Sequence, residues 1–173
     1  MSRAASHRRG LTQQEQERLF AHVEPLLRTL ALYTLASRFR LGAGRLSKLD
    51  LGEITPDGSA VHEVLRLGRE PLLERPVDPA LAAVLKRFLA RRCSCAHLRL
   101  ALKTYRDARG AERCHACHDD VRLRVNPLFV SRRHRRLSPK RMRHEFTQHR
   151  NALGLDPGLT FDSLRLPTKA APR

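Results

Sequence analysis

The chain has 173 residues, with 34 Lys and Arg against 17 Asp and Glu and a formal net charge of +17. Its length suits one domain, no apolar run approaches the roughly 18 residues that span a bilayer, and no apolar stretch follows the basic start as it would in an export signal. A transmembrane protein and a secreted disulfide scaffold are set aside, and the charge points first to a polyanion partner, because each phosphate neutralised releases a counterion.

In chain order, residues 1–10 are polar and basic and are expected to be disordered, and 11–173 read as one domain. Thr12 caps a first helix, with Glu15 three residues on as its capping-box partner and Leu19, Phe20 and Val23 turned inward. Pro25 suits the first turn of a second helix. Its broad apolar set, Leu26, Leu27, Leu30, Ala31, Tyr33 and Leu35, places it at the centre of the core. Two Gly break the pattern in 37–44, and a short amphipathic piece follows with Leu46, Leu49 and Leu51. Pro56-Asp57-Gly58 predicts a turn. Residues 61–67 alternate as a half-buried strand does, and 68–71 turn it back into 72–75.

Asp78 and Pro79 then open the clearest helix, with Leu81, Val84, Leu85, Phe88 and Leu89 at helical spacing. Residues 93–120 hold all four Cys, with two short strands expected around a turn at 107–110. Residues 121–125 and 128–130 are β-like. Ser138 and Pro139 start a last helix carrying Met142, Phe146, His149 and Leu153, and Gly154 stops it. The expected fold class is mainly α with a small antiparallel β-sheet.

Two constellations carry chemistry. Cys93-x-Cys95 and Cys114-x-x-Cys117 are two close pairs that could bring four thiolates to one tetrahedral ion, with His97, His115 and His118 as spare ligands. A hairpin between the pairs would make a zinc-ribbon-like insert, stabilised by a structural zinc. Reduced thiols on a surface loop are the plainer alternative, and the C-x-x-C-H string at Cys114 has no export signal to favour haem attachment.

The second constellation is basic, since residues 122–150 hold ten Lys and Arg and one acid, Glu145. Arg132, Arg133, Arg135 and Arg136 precede a capped helix whose first turns carry Lys140, Arg141 and Arg143, an arrangement suited to phosphate. A solvated basic face is the alternative. His144 and His149, five apart, do not share a face as metal ligands do, and a surface or DNA-facing role is expected. No nucleophile elbow, Walker loop or dinucleotide fingerprint occurs, so hydrolase, kinase and dehydrogenase readings have no support.

These segments, taken together, resemble the catalytic domain of tyrosine recombinases, the phage-integrase and Xer-type family. GLTQQEQERLF is similar to that domain's opening helix, and TLASRFRLGAGRLSKLDLGEI to its second conserved region, with Leu49 and Ile54 as spaced apolar residues. AVHEVLRLGREPLLERPVDPALAAVLKRFLARR resembles its hairpin and following helix. NPLFVSRRHRRLSPKRMRHEF resembles the short strand, loop and helix before its H-x-x-R box, and GLTFDSLRL falls where that box belongs. Residues 93–125 would be an insertion.

The resemblance implies a domain that grips duplex DNA, with Arg, Lys and His side chains around a phosphate that a Tyr attacks. Arg165 keeps the Arg of the box, Asp162 replaces its His, and Leu166 stands where a second His often follows. The first family Arg, which opens a helix, falls on Gly42 by a count without gaps and on Arg40 with two extra residues. The hairpin Lys falls near Arg69, and Arg cannot act as a general acid in its manner. The family Tyr lies some tens of residues beyond the box, while the chain ends eight residues after Arg165.

The function expected from the sequence is a DNA-binding protein with a truncated, degenerate recombinase fold, associated with DNA recombination or integration in the cytoplasm and nucleoid. Double-stranded DNA, further copies of the chain or a full-length recombinase are the expected partners, and no membrane is. An active recombinase whose Tyr comes from elsewhere, and a zinc-ribbon nucleic-acid module, are the alternatives.

Overall fold

The computed structural model describes residues 9–56, 60–67, 73–91, 104–106, 108–110, 112–114, 127–131 and 136–167. They fall into two compact units, Met1–Leu46 with Ser138–Arg173, and Ser47–Leu137.

The first unit is helical. In α1, Gln13–Val23, the Glu15 N–H donates to Thr12 Oγ1 at 3.2 Å and the Thr12 N–H donates to Glu15 Oε2 at 2.8 Å, closing the expected box. α2, Leu27–Arg38, is buried at every position from Thr29 to Ala36. A helix apolar on all sides belongs inside the core, as its composition implied. It begins two residues after Pro25, without a side-chain cap at Leu26. Thr34 resolves its buried hydroxyl by donating to the Leu30 carbonyl at 2.8 Å.

α2 ends in a Schellman turn. The Leu41 N–H reaches back to the Ala36 carbonyl at 3.0 Å, and Arg40 takes φ of 52°. A single helical turn, α3, Ala43–Leu46, follows at once. α5, Pro139–Ala152, is capped by Ser138 and ends in the same kind of turn with Gly154 at φ 61°. A 3-10 turn, Phe161–Arg165, completes the unit. Tyr33, Phe146 and Phe161 meet edge to face, with ring centroids 5.9–6.1 Å apart.

The second unit opens with a 3-10 turn, Leu51–Glu53. β1, Val64–Leu67, pairs antiparallel with β2, Leu73–Pro76, in the register Val64↔Pro76 to Leu67↔Leu73. The strand is shorter than the alternation from Val61 suggested, but Leu65 and Leu67 are buried as that pattern requires. α4, Pro79–Arg91, is capped by Asp78, whose Oδ1 accepts the Leu81 N–H at 2.8 Å. It buries Leu81, Leu85, Phe88 and Leu89, and the Phe88 ring packs 5.5 Å from Phe129.

β3, Thr104–Arg106, and β4, Glu112–Cys114, form the antiparallel hairpin expected inside the Cys-rich segment. The β-like run 128–130 makes no strand. Asp50↔Pro127 and Val130↔Arg136 are isolated bridges, because the backbone there pairs with loops on either side.

Candidate nucleic-acid interface

In the helical unit Arg165, the Arg that the resemblance assigns to the H-x-x-R box, has a defined setting. Arg165 closes the 3-10 turn that Thr160 begins, where the Ser163 N–H donates to the Thr160 carbonyl at 2.9 Å. Its Nη1 donates to Asp162 Oδ1 at 3.2 Å, an exposed i,i+3 pair. The guanidinium lies directly over Gly42. A Cβ at that position would stand 2.7 Å from Arg165 Nη1 and 3.7 Å from Asp162 Oδ1. Gly42 also accepts the Arg45 and Leu46 N–H groups at 3.0 and 3.1 Å, which starts α3.

Arg45, which the sequence reading did not single out, is half-buried on α3. It lies on the helix that opens behind Gly42, whereas Arg40 is exposed and precedes that helix as the left-handed residue of the α2 terminus. The helix start was the available signal, because Gly42 interrupts the apolar pattern and Leu46 resumes it.

The basic residues of α5 divide by partner. Lys140 and Arg143 are exposed. Arg141 Nε donates to Glu145 Oε1 at 3.0 Å, and Arg28 Nη2 donates to both Glu145 oxygens at 2.8 and 3.0 Å. Glu145, the one acid of the basic stretch, is thereby a buried carboxylate shared by two guanidiniums.

In the second unit Arg136 donates to the carbonyls of Ser47 and Leu49, at 2.9 and 3.3 Å, and to Asp50 Oδ1. These donors are directed at the 47–50 segment of the same unit, far away in sequence. Arg69, Arg132, Arg133 and Arg135 lie outside the described residues, as do Cys93, Cys95 and Cys117, and Cys114 is described only as backbone of β4. Among the described residues no three His, Cys, Asp or Glu side chains gather as a metal site.

The two Tyr are placed differently. Tyr33 is fully buried, and its hydroxyl has no hydrogen-bond partner. Burial, then the nearby Glu145 carboxylate, pushes its pKa far above the ordinary phenol value. Tyr105 sits on β3, opposite Arg113. His149, expected at the surface or facing DNA, is instead half-buried. Its ring is edge-on to Tyr33, and its Nδ1 is 3.2 Å from Nε2 of His22 on α1. Burial, and next the neighbouring His22, lowers its pKa. His144 is exposed.

This mainly helical chain with two small antiparallel hairpins has the fold of tyrosine-recombinase and integrase catalytic domains. The XerA recombinase structure matches 95% of this chain and 49% of its own, at 17% identity and a TM-score of 0.62. A lambda integrase fragment bound to DNA matches 95% of this chain and 50% of its own, at 17% identity and a TM-score of 0.54. The lambda integrase catalytic core matches 91% of this chain and 79% of its own, at 18% identity and a TM-score of 0.51. The chain thus spans about half the length of the first two. No protein-family model and no curated protein sequence matches it. No helix among the described residues is long and apolar enough to cross a membrane.

Proposed function

We propose that this chain binds the phosphate backbone of duplex DNA through its recombinase-like fold, and that neither Tyr33 nor Tyr105 cleaves the strand. The observation that supports DNA binding is Arg165, whose partly exposed guanidinium rests on Gly42 at the start of the helix carrying Arg45. Fixed guanidinium groups suit phosphate because their donors form a planar fork. Arg45 takes the role of the family's helix-opening Arg in place of Arg40. Exposed Lys140 and Arg143 extend the basic surface of the same unit.

The fold favours duplex DNA over other polyanions, since similar structures include lambda integrase as a dimer on a core site and as a tetramer on a Holliday junction. On the same likeness the proposal extends to self-association and to a role in DNA recombination or integration. The reading against chemistry rests on residues present in this chain. Tyr33 is sealed in the core with a raised pKa, and Asp162 holds an anion where the resemblance expects a phosphate donor. Cys93, Cys95, Cys114 and Cys117 are the ligands proposed for a structural zinc. The second reading, an active recombinase, needs a nucleophile from another subunit or a longer chain.

The deciding assay is a nicked suicide duplex labelled on one strand, run on a denaturing gel, beside a binding titration against salt. The expected result is salt-dependent binding with no labelled band shifted by the protein's mass. A shifted band lost in Tyr105→Phe overturns the inactive reading, and binding with no salt dependence overturns the phosphate reading.

A further inference from the structure

The clearest chemistry that the DNA reading leaves unused lies where α1 meets α5 within the helical unit. His22, exposed on the last turn of α1, and His149, half-buried on α5, place Nε2 and Nδ1 3.2 Å apart. We propose that this pair is a site for one borderline divalent cation, nickel or zinc, which fastens α1 to α5.

The separation of the donor atoms carries the argument. Two nitrogens bound to one tetrahedral ion at 2.0–2.1 Å stand about 3.3 Å apart. The fold already holds these two imidazole nitrogens at that span, with ring centroids 5.2 Å apart and planes crossing at 67°. Without metal, a neutral pair at this distance shares one N–H. On binding, the ion accepts a lone pair from each nitrogen, and the proton of the shared N–H is transferred by way of water to the other nitrogen of the same ring, so that both imidazoles stay neutral. Imidazole is the nitrogen ligand that nickel, copper and zinc favour.

The two rings play different parts. His149 is set in place by its helix and by the edge-on Tyr33 ring, 6.2 Å away. His22 faces solvent, so its ring can turn its lone pair onto the ion, and water can fill the other coordination positions. The charges nearby do not add to the attraction. Glu145, one turn before His149, is neutralised by Arg28 and Arg141, while Arg18 and Arg150 are cationic on the same two helices. Affinity therefore rests on two imidazoles, which makes removal of either one decisive.

The test is a nickel titration of the untagged chain by calorimetry and by thermal melting, beside His22→Ala, His22→Gln and His149→Gln. The Cys-rich segment can take an ion of its own, and that contribution is common to all four proteins. Nickel should raise the unfolding temperature of the chain. Each variant should lose one equivalent of nickel, or bind it roughly tenfold or more weakly, and should lose that rise. His22→Gln preserves a hydrogen-bonding side chain, which separates loss of the ligand from loss of packing. Equal stoichiometry and an equal temperature rise in the chain and all variants would overturn the site and leave a hydrogen bond only.

Discussion

Gly42 and Arg165, far apart in the sequence, are in such close approach that a single methyl group at residue 42 would stand 2.7 Å from the guanidinium. The backbone of Gly42 also accepts the first hydrogen bonds of α3. One glycine thus serves both the helix start and the seat of the Arg, and it couples the orientation of Arg165 to the turn that carries Arg45.

Gly42→Ala should therefore displace the Arg165 side chain while α3 still forms. Arg165→Ala should weaken duplex binding and flatten the dependence of log affinity on log salt by about one unit, the effect of one lost phosphate contact. Gly42→Ala should shift the slope in the same direction. A binding isotherm series across salt concentrations decides it, and an unchanged slope in Arg165→Ala assigns that residue to solvent.

Arg40 occupies the left-handed position of a helix terminus that Gly154 fills at the end of α5. An L side chain in that conformation costs about 1 kcal/mol relative to glycine. Arg40→Gly should raise stability by about that amount in denaturant unfolding, without loss of DNA binding. A fall in binding would instead give Arg40 the phosphate role that the sequence count allowed it.

Arg136 and Arg143 look alike in sequence and should behave differently. Arg136→Ala removes the guanidinium that donates to the Ser47 and Leu49 carbonyls and to Asp50, and should cost about 1–3 kcal/mol of stability. Arg143→Ala, on the exposed face of α5, should leave stability within about 0.5 kcal/mol and reduce the salt slope. Equal stability of the two variants in urea would show that the Arg136 contacts contribute nothing.

Arg9 joins Glu15 of α1 at 2.7 Å to Asp156 of the loop after α5 at 2.9 Å. The Arg9 guanidinium, opposed by burial and aided by the Thr12 N–H, lowers the Glu15 pKa from 4.5 to about 2. The Gly158 N–H and then Arg9 lower that of Asp156. A carboxyl whose folded pKa lies below its unfolded value stabilises the fold at higher pH and loses that effect as pH falls. The contribution of Glu15 should thus be complete above about pH 5 and disappear between there and pH 2. Glu15→Gln should show a shallower loss of unfolding temperature across that window, and an identical acid profile would remove the ion pair from the account.

Local chemistry was legible in the sequence because its partners lie within a few residues. Thr12 with Glu15, Asp78 and Ser138 as caps, and Gly154 after α5 are each read from short spacing, and each forms. The buried run of α2 followed from composition, as did the basic character of residues 122–150 and, through the order of segments, the fold itself. What each cation does was decided by tertiary structure. Arg28 and Arg141 converge on Glu145, Arg136 turns back onto Asp50, His22 meets His149, and Arg165 settles on Gly42. Apart from Arg141, these partners are supplied by distant parts of the chain, and no periodicity records them. An arginine spends its donors on whichever carboxylate or carbonyl the packing of apolar helices brings within reach, so its role is fixed only when that packing is complete.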